Sequence, residues 1–303
     1  MSLPPEFRSA DAGVIHDIGY RGYTGPRLGR GYAARSLFTQ SLRAAYGLGR
    51  SGKSKVLPML VLGVATVPAL IIVAVAVVTG VDKLPVDYAQ YLSAIGLVVS
   101  IFLASQAPVL FSRDLRHHTV PLYFSRPITR TDYVRAKFGA MACAQLLLML
   151  APLLVLYIGS LLVGLKFGDQ TAHFFYGLTA AVLYALVPTS VAVVIAATTP
   201  RRGFGVAAIM GYLAVSTAVV GVVVGMASTT VGFDEPLPTY PQWVVLLSPD
   251  GLVESLTNEL FDLGSGPERM HAPGGLGLLV FTLVAVAMVA GSYRLLLRRY
   301  RSI

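Results

Sequence analysis

Charge is what this chain most lacks. Asp, Glu, Lys and Arg make up 13% of its 303 residues, and six stretches (56–81, 88–112, 138–165, 174–199, 203–228 and 272–293) contain none of the four. A bilayer core of ~30 Å needs about 20 apolar residues of α-helix, and each stretch exceeds that. The strands of a membrane barrel would alternate apolar and polar residues, which these runs do not do. Histidine is scarce in the same places: His16, His117, His118, His173 and His271 all fall in tails, connections or at edges. With no ionisable group at membrane depth, nothing is available to bind a coupling ion, which argues against a secondary transporter or proton pump. Ser and Thr occur in the stretches, but a catalytic His or a zinc set does not, which argues against an intramembrane hydrolase. The lone cysteine, Cys143, sits inside the third stretch. It leaves no disulfide framework and no metal cluster to build. Such a protein is expected to draw its energy from a partner.

The charges that remain are sorted by sign. Residues 1–55 carry 9 Lys/Arg, the second-to-third connection 6, the fourth-to-fifth 2 and the C-terminal tail 4. The three intervening connections hold only Lys83, Lys166 and Arg269, together with 10 of the 15 acids. Lys and Arg resist translocation, so the basic set marks the cytoplasmic side. The fold class that follows is an all-α membrane protein of six transmembrane helices with both termini cytoplasmic. A net charge of +9 and a pI near 9.7 would suggest nucleic-acid binding in a soluble protein. Here anionic lipid head groups account for the excess, and no nucleic-acid partner is expected. Arg outnumbers Lys 19 to 5, a bias associated with GC-rich bacterial genomes. The expected location is the bacterial cytoplasmic membrane, as a multi-pass protein.

Two regions divide the chain: a cytoplasmic N-terminal region, 1–55, and a membrane domain, 56–303. Residues 1–32 are rich in Gly, Pro and Arg and read as an extended arm. They lack the short apolar core and cleavage site of a signal peptide, so the arm is expected to stay attached. From about Tyr32 to Leu48, Leu37, Phe38, Leu42, Ala45 and Tyr46 recur at helical spacing, with Arg35, Gln40 and Arg43 elsewhere on the wheel. This predicts an amphipathic helix in the cytoplasmic interface. In the connection 229–271, Pro236, Pro238 and Pro241 break the chain, and Tyr240 and Trp243 suit interface anchoring. Beyond them the sequence predicts a short re-entrant or surface helix capped by Asp250, with Leu252, Val253, Leu256 and Leu260 on one face.

Several motifs need weighing. Residues 47–54, GLGRSGKS, match G-x-x-x-x-G-K-[ST] letter for letter. A working phosphate loop needs a preceding strand and a surrounding α/β domain. Here an amphipathic helix precedes and a span follows two residues later, so the segment reads as a hinge with lysines facing head groups. Adjacent His117 and His118 project to different faces, which disfavours a shared metal. Gly221 and Gly225 form a GxxxG on the fifth span, open to a subunit interface or to packing within the chain. Pro68, Pro108, Pro152 and Pro188 are expected to kink the first four spans. Phe102 and Gln106 on the second span are candidates for a substrate path; alternatively Gln106 bonds a neighbouring helix.

The connection after the second span holds more apolar groups than a solvated loop requires, among them Leu115, Val120, Leu122, Tyr123, Phe124 and Ile128, so a partner or neighbouring helix should cover them. Residues 112–138, SRDLRHHTVPLYFSRPITRTDYVRAKF, resemble the signature loop of ABC-2 type permeases, the membrane subunits of bacterial ABC exporters. Asp114, Thr119, Leu122, Ser125, Arg126, Pro127, Ile128, Arg130, Tyr133 and Lys137 occupy the pattern's places. Asp114 replaces the usual Glu, and His118 stands where the pattern has Gly. The six spans, the amphipathic helix before the first and the large connection before the sixth are similar to the family as well. The arm sequence from Val14 to Tyr20 resembles the leader of some actinobacterial permeases.

The resemblance implies a type V exporter-like permease that performs no chemistry itself and is not an enzyme. ATP and magnesium would be bound by a separate ABC ATPase subunit, with no cofactor on this chain. Loop 113–137 would carry the coupling helix, with Asp114, Leu122, Tyr123, Phe124, Arg126 and Arg130 meeting the ATPase. Leu122, Tyr123 and Phe124 would fill its groove and Arg126 and Arg130 face acidic rims. A second permease subunit, identical or related, would complete the path, lined by the second and fifth spans. The alternatives are a membrane scaffold that recruits cytosolic partners without transport, and an enzyme built from the loops.

Overall fold

The structure is a computed structural model that describes residues 24–25, 28–81, 83–125, 128–230, 239–263 and 271–301. Among these, regular structure is helical throughout, and six helices are long and apolar enough to cross a membrane. The residues 1–23, which include the leader-like segment, and Pro236 and Pro238 lie outside the described residues.

The amphipathic segment forms α1 (Arg30–Ala45), with Leu37, Ser41 and Ala45 on its buried side. It packs on a later helix rather than on lipid alone: Tyr46 Oη donates to the Ala144 carbonyl at 2.8 Å, and Phe38 lies against Gly139. The first span is α2 (Lys53–Thr79), ended by Gly80 in the left-handed conformation, φ 61°. Between α1 and α2, residues 46–52 form a turn with Gly47 and Gly49 both at positive φ. The phosphate-loop spelling thus falls on a helix–helix joint.

The second apolar stretch is broken. It forms α3 (Tyr88–Ala94) and α4 (Gly96–Leu110), separated at Ile95, with α5 (Ser112–Arg116) continuing from Phe111. The sequence predicts one continuous span there; the break before Gly96 divides it. After the short α6 (Val120–Phe124), the third span α7 runs from Arg130 to Leu162. Its start is set by a capping box, in which the Thr129 side chain accepts from the Asp132 N–H and the Asp132 carboxylate from the Thr129 N–H. At 33 residues α7 is ~50 Å long by its 1.5 Å rise, well beyond a bilayer core. Its first two turns, which carry Tyr133 and Lys137, precede the uncharged stretch that begins at Phe138.

Next come α8 (Phe167–Thr198) and α9 (Arg202–Thr230), then α10 (Thr239–Val244), α11 (Pro249–Phe261) and α12 (Gly274–Arg301). The short helix that the sequence predicts here is α11: Leu252 and Val253 are fully buried, packed among helices that include α8, α9 and α12. Two details differ from expectation. Ser248, not Asp250, caps α11, its hydroxyl accepting from the Gly251 N–H at 3.3 Å. Pro249 holds the first helical position, which aims Asp250 sideways to the Ser100 hydroxyl. Leu260 is 53% exposed and off the buried face.

The core runs along α4, α7 and α8. The apolar windows of α4 and α8 are 72% and 67% buried, whereas that of α12 is 17% buried. α2, α9 and α12 thus form an apolar outer surface suited to lipid or a second subunit. Pro68, Pro108, Pro152 and Pro188 all lie inside helices. α2 and α7 approach closely at Gly159, where a Cβ would come within 2.2 Å of Val73, so the two helices meet backbone to side chain. The basic segments gather at one end. Arg30 Nε bonds Asp132 at 2.5 Å, Arg135 donates to Tyr293 Oη at 3.1 Å, and burial and the nearby Arg113 and Arg202 lower the Arg50 pKa, against the pull of Asp114. At the other end His173 lies 3.9 Å from Asp87.

Candidate functional site

Loop 113–137 is anchored from below by one buried cluster. Asp114, on α5, accepts from Lys137 Nζ and, at 2.9 Å, from Tyr133 Oη. The same Lys137 Nζ donates to the Leu110 carbonyl at the end of α4. Lys137 is only 4% exposed, its ammonium 5.1 Å from the Tyr133 ring centre and 5.9 Å from that of Phe111. A buried ammonium is tolerated only with an opposite charge and further acceptors, and here it has both. The cluster fastens the end of the second span to the start of the third.

Tyr133 is the centre of the arrangement. Fully buried, it meets Tyr123 at 5.6 Å, Phe124 at 5.9 Å and Tyr300, from the last turn of α12, at 5.0 Å between ring centres. Arg130 stacks over Phe124 at 5.5 Å. Val120 and Ile128 are buried beneath the loop. Tyr123 and Phe124 are half-buried against this chain's own Tyr133, while Leu122 points outward, 67% exposed. Arg116, His117 and His118 are exposed beside it. Arg126 and Pro127 lie outside the described residues.

His118 explains a departure from the sequence pattern. It adopts φ 52°, in the left-handed region that favours glycine, and it stands where the pattern has Gly. The turn is kept: the Thr119 N–H reaches back to the Asp114 carbonyl at 3.1 Å.

The other sequence candidates sit elsewhere. Phe102 is fully buried against the Tyr46 ring at 5.5 Å, and Gln106, 5% exposed, donates to Ser105 Oγ at 3.1 Å. On α9 a Cβ at Gly221 or Gly225 would meet nothing within 4 Å. Among the described residues no three His, Cys, Asp or Glu side chains converge as a metal site. Sequence reasoning missed Tyr133 as a hub and the pairing of Lys137 with Asp114. One signal was present: a lysine at the mouth of an otherwise uncharged span must find a counter-charge.

Six apolar helices and a loop stapled between the second and third define a multi-pass membrane protein of the permease type. Residues 69–300 match the ABC-2 family transporter protein pattern, and the chain belongs to that family. No curated protein matches it. As a family member it is an ABC transporter permease, a transmembrane component of transport.

Proposed function

We propose that this chain is the permease subunit of an ATP-binding cassette exporter in a bacterial cytoplasmic membrane, with both termini and loop 113–137 on the cytoplasmic side. In this reading a separate ABC ATPase subunit binds ATP and magnesium, and α6 docks in its groove. A second permease subunit, identical or related, completes the path, and the glycine face of α9 at Gly221 and Gly225 is available to it. The observation that carries the reading is the contrast inside α6: Leu122 is 67% exposed while the turn presenting it is fastened to both flanking spans through Asp114, Tyr133 and Lys137. An exposed apolar side chain on a rigid mount suits an interface anchor, and motion imposed on it passes directly to the second and third spans.

The test is co-expression with the host's ABC ATPase subunits. Leu122→Glu should abolish co-purification of the ATPase or uncouple hydrolysis from export, while the permease still inserts. Removing a buried apolar anchor costs about 2 kcal/mol or more, some 30-fold in affinity. Loss of Arg130 should act less strongly and in a salt-dependent way. Unchanged assembly and transport in Leu122→Glu would remove the loop as the coupling element. Absence of any ATPase from the wild-type complex would favour the scaffold reading.

A further inference from the structure

On the far side of the bundle from loop 113–137 lies a cavity of about 430 Å³ between α4, α8, α9 and the first turns of α11. That volume is in the range of small-molecule sites, roughly 300–1,000 Å³. Its walls are mainly apolar, with Leu97, Met210 and Leu213 among them, and none of the lining residues is Lys, Arg or His. Into this apolar space project two carboxylates one helical turn apart, Asp250 and Glu254. Asp250 is held by the Ser100 hydroxyl at 3.4 Å, a long bond that compensates a carboxylate poorly. Tyr184 of α8 lines the same space.

Burial, and secondarily the negative charge of Glu254, push the Asp250 carboxyl up to about 6, against the opposing effect of the Ser100 bond. The position is therefore a costly one for an acid. No helix cap requires it, since Ser248 fills that role.

Three ligand classes fit badly. An anion would meet two carboxylates, a neutral apolar molecule would leave Asp250 with only its long Ser100 bond, and a small inorganic cation would leave the apolar walls unfilled. A cation with an apolar body satisfies charge and walls together.

We propose that this cavity binds lipophilic organic cations, with Asp250 as the counter-ion and Glu254 adding negative potential, so that the cargo class of the permease is a hydrophobic molecule bearing a positive charge. This assignment of cargo rests on the exporter reading; the binding site itself is tested without it. Purified permease in nanodiscs, with no ATPase present, is titrated with tetraphenylphosphonium and with tetraphenylborate, its anion of the same shape, against empty nanodiscs.

Wild type should bind the cation and not the anion. Affinity should rise as pH increases from 5 to 7, as Asp250 ionises while Glu254 and the neighbouring Tyr184 and Tyr212 hydroxyls face it. Asp250→Asn should weaken cation binding at least tenfold. Leu97→Trp fills the cavity mouth from a position 67% exposed; it leaves the charges in place and should weaken binding as well. Equal binding of cation and anion, or full affinity in Asp250→Asn, would overturn the site. Failure of Leu122→Glu to uncouple an ATPase would instead count against the exporter reading and leave this binding result intact.

Discussion

Lys137 bonds Asp114 and the Leu110 carbonyl with a single ammonium, so one side chain joins the end of α4 to the first turns of α7. Removing it strands a carboxylate whose remaining side-chain donor is the Tyr133 hydroxyl. Lys137→Met should therefore destabilise the protein by roughly 3–5 kcal/mol, the range for breaking a buried pair from one side. The double variant Lys137→Met, Asp114→Leu should recover most of that loss, because no uncompensated charge remains. Thermal unfolding of all four proteins in nanodiscs gives the cycle. Additive losses would mean the two residues act separately.

His118 should be improvable. A non-glycine residue in the left-handed region costs ~1–2 kcal/mol, and the entropy of glycine offsets ~0.5–1 of that. His118→Gly should consequently be neutral or stabilise by up to about 1.5 kcal/mol, and His118→Val should destabilise. A loss of stability in His118→Gly would show that the imidazole makes a contact worth more than the backbone strain.

Asp250 makes the ligand-free protein pH-sensitive in a defined direction. Its folded pKa of about 6 stands above the ordinary value of 3.8. The stability tied to its protonated form is thus complete below about 4 and lost as pH rises through 6. Asp250→Asn should remove this slope and raise stability at pH 7 by on the order of 2 kcal/mol. Denaturation midpoints across pH 4–8 read it directly. A destabilised, equally pH-dependent Asp250→Asn would contradict the assignment.

Orientation follows from the gathering of basic segments at one end. In a Cys143→Ala background, single cysteines at Leu84 and at the exposed Leu260 should react with a membrane-impermeant thiol reagent on intact cells, and those at Leu122 and Arg201 should not. The reverse pattern would invert the topology.

Most of the architecture was legible because uncharged runs and charge sorting are local properties. The apolar face of α1 can be read residue by residue. What escaped depends on partners far away in sequence. Tyr123 and Phe124 look like free interface residues until α7 supplies Tyr133 beneath them. Asp250 looks like a cap because two acceptable caps, Ser248 and Asp250, lie two residues apart. Pro249 decides between them only once the helix is built. The break at Ile95 has no proline to announce it.

The first turn of α7 receives Arg30 from one side and, through Tyr133, the ring of Tyr300 from the other. Segments nearly the whole chain apart are thereby geared to one another. Under the proposed coupling, a push delivered at loop 113–137 would turn a shaft to which both α1 and the end of α12 are fixed. Shortening α12 before Tyr300 would loosen that gearing while leaving every span in the membrane, and a fusion joined closely behind it would load the same shaft.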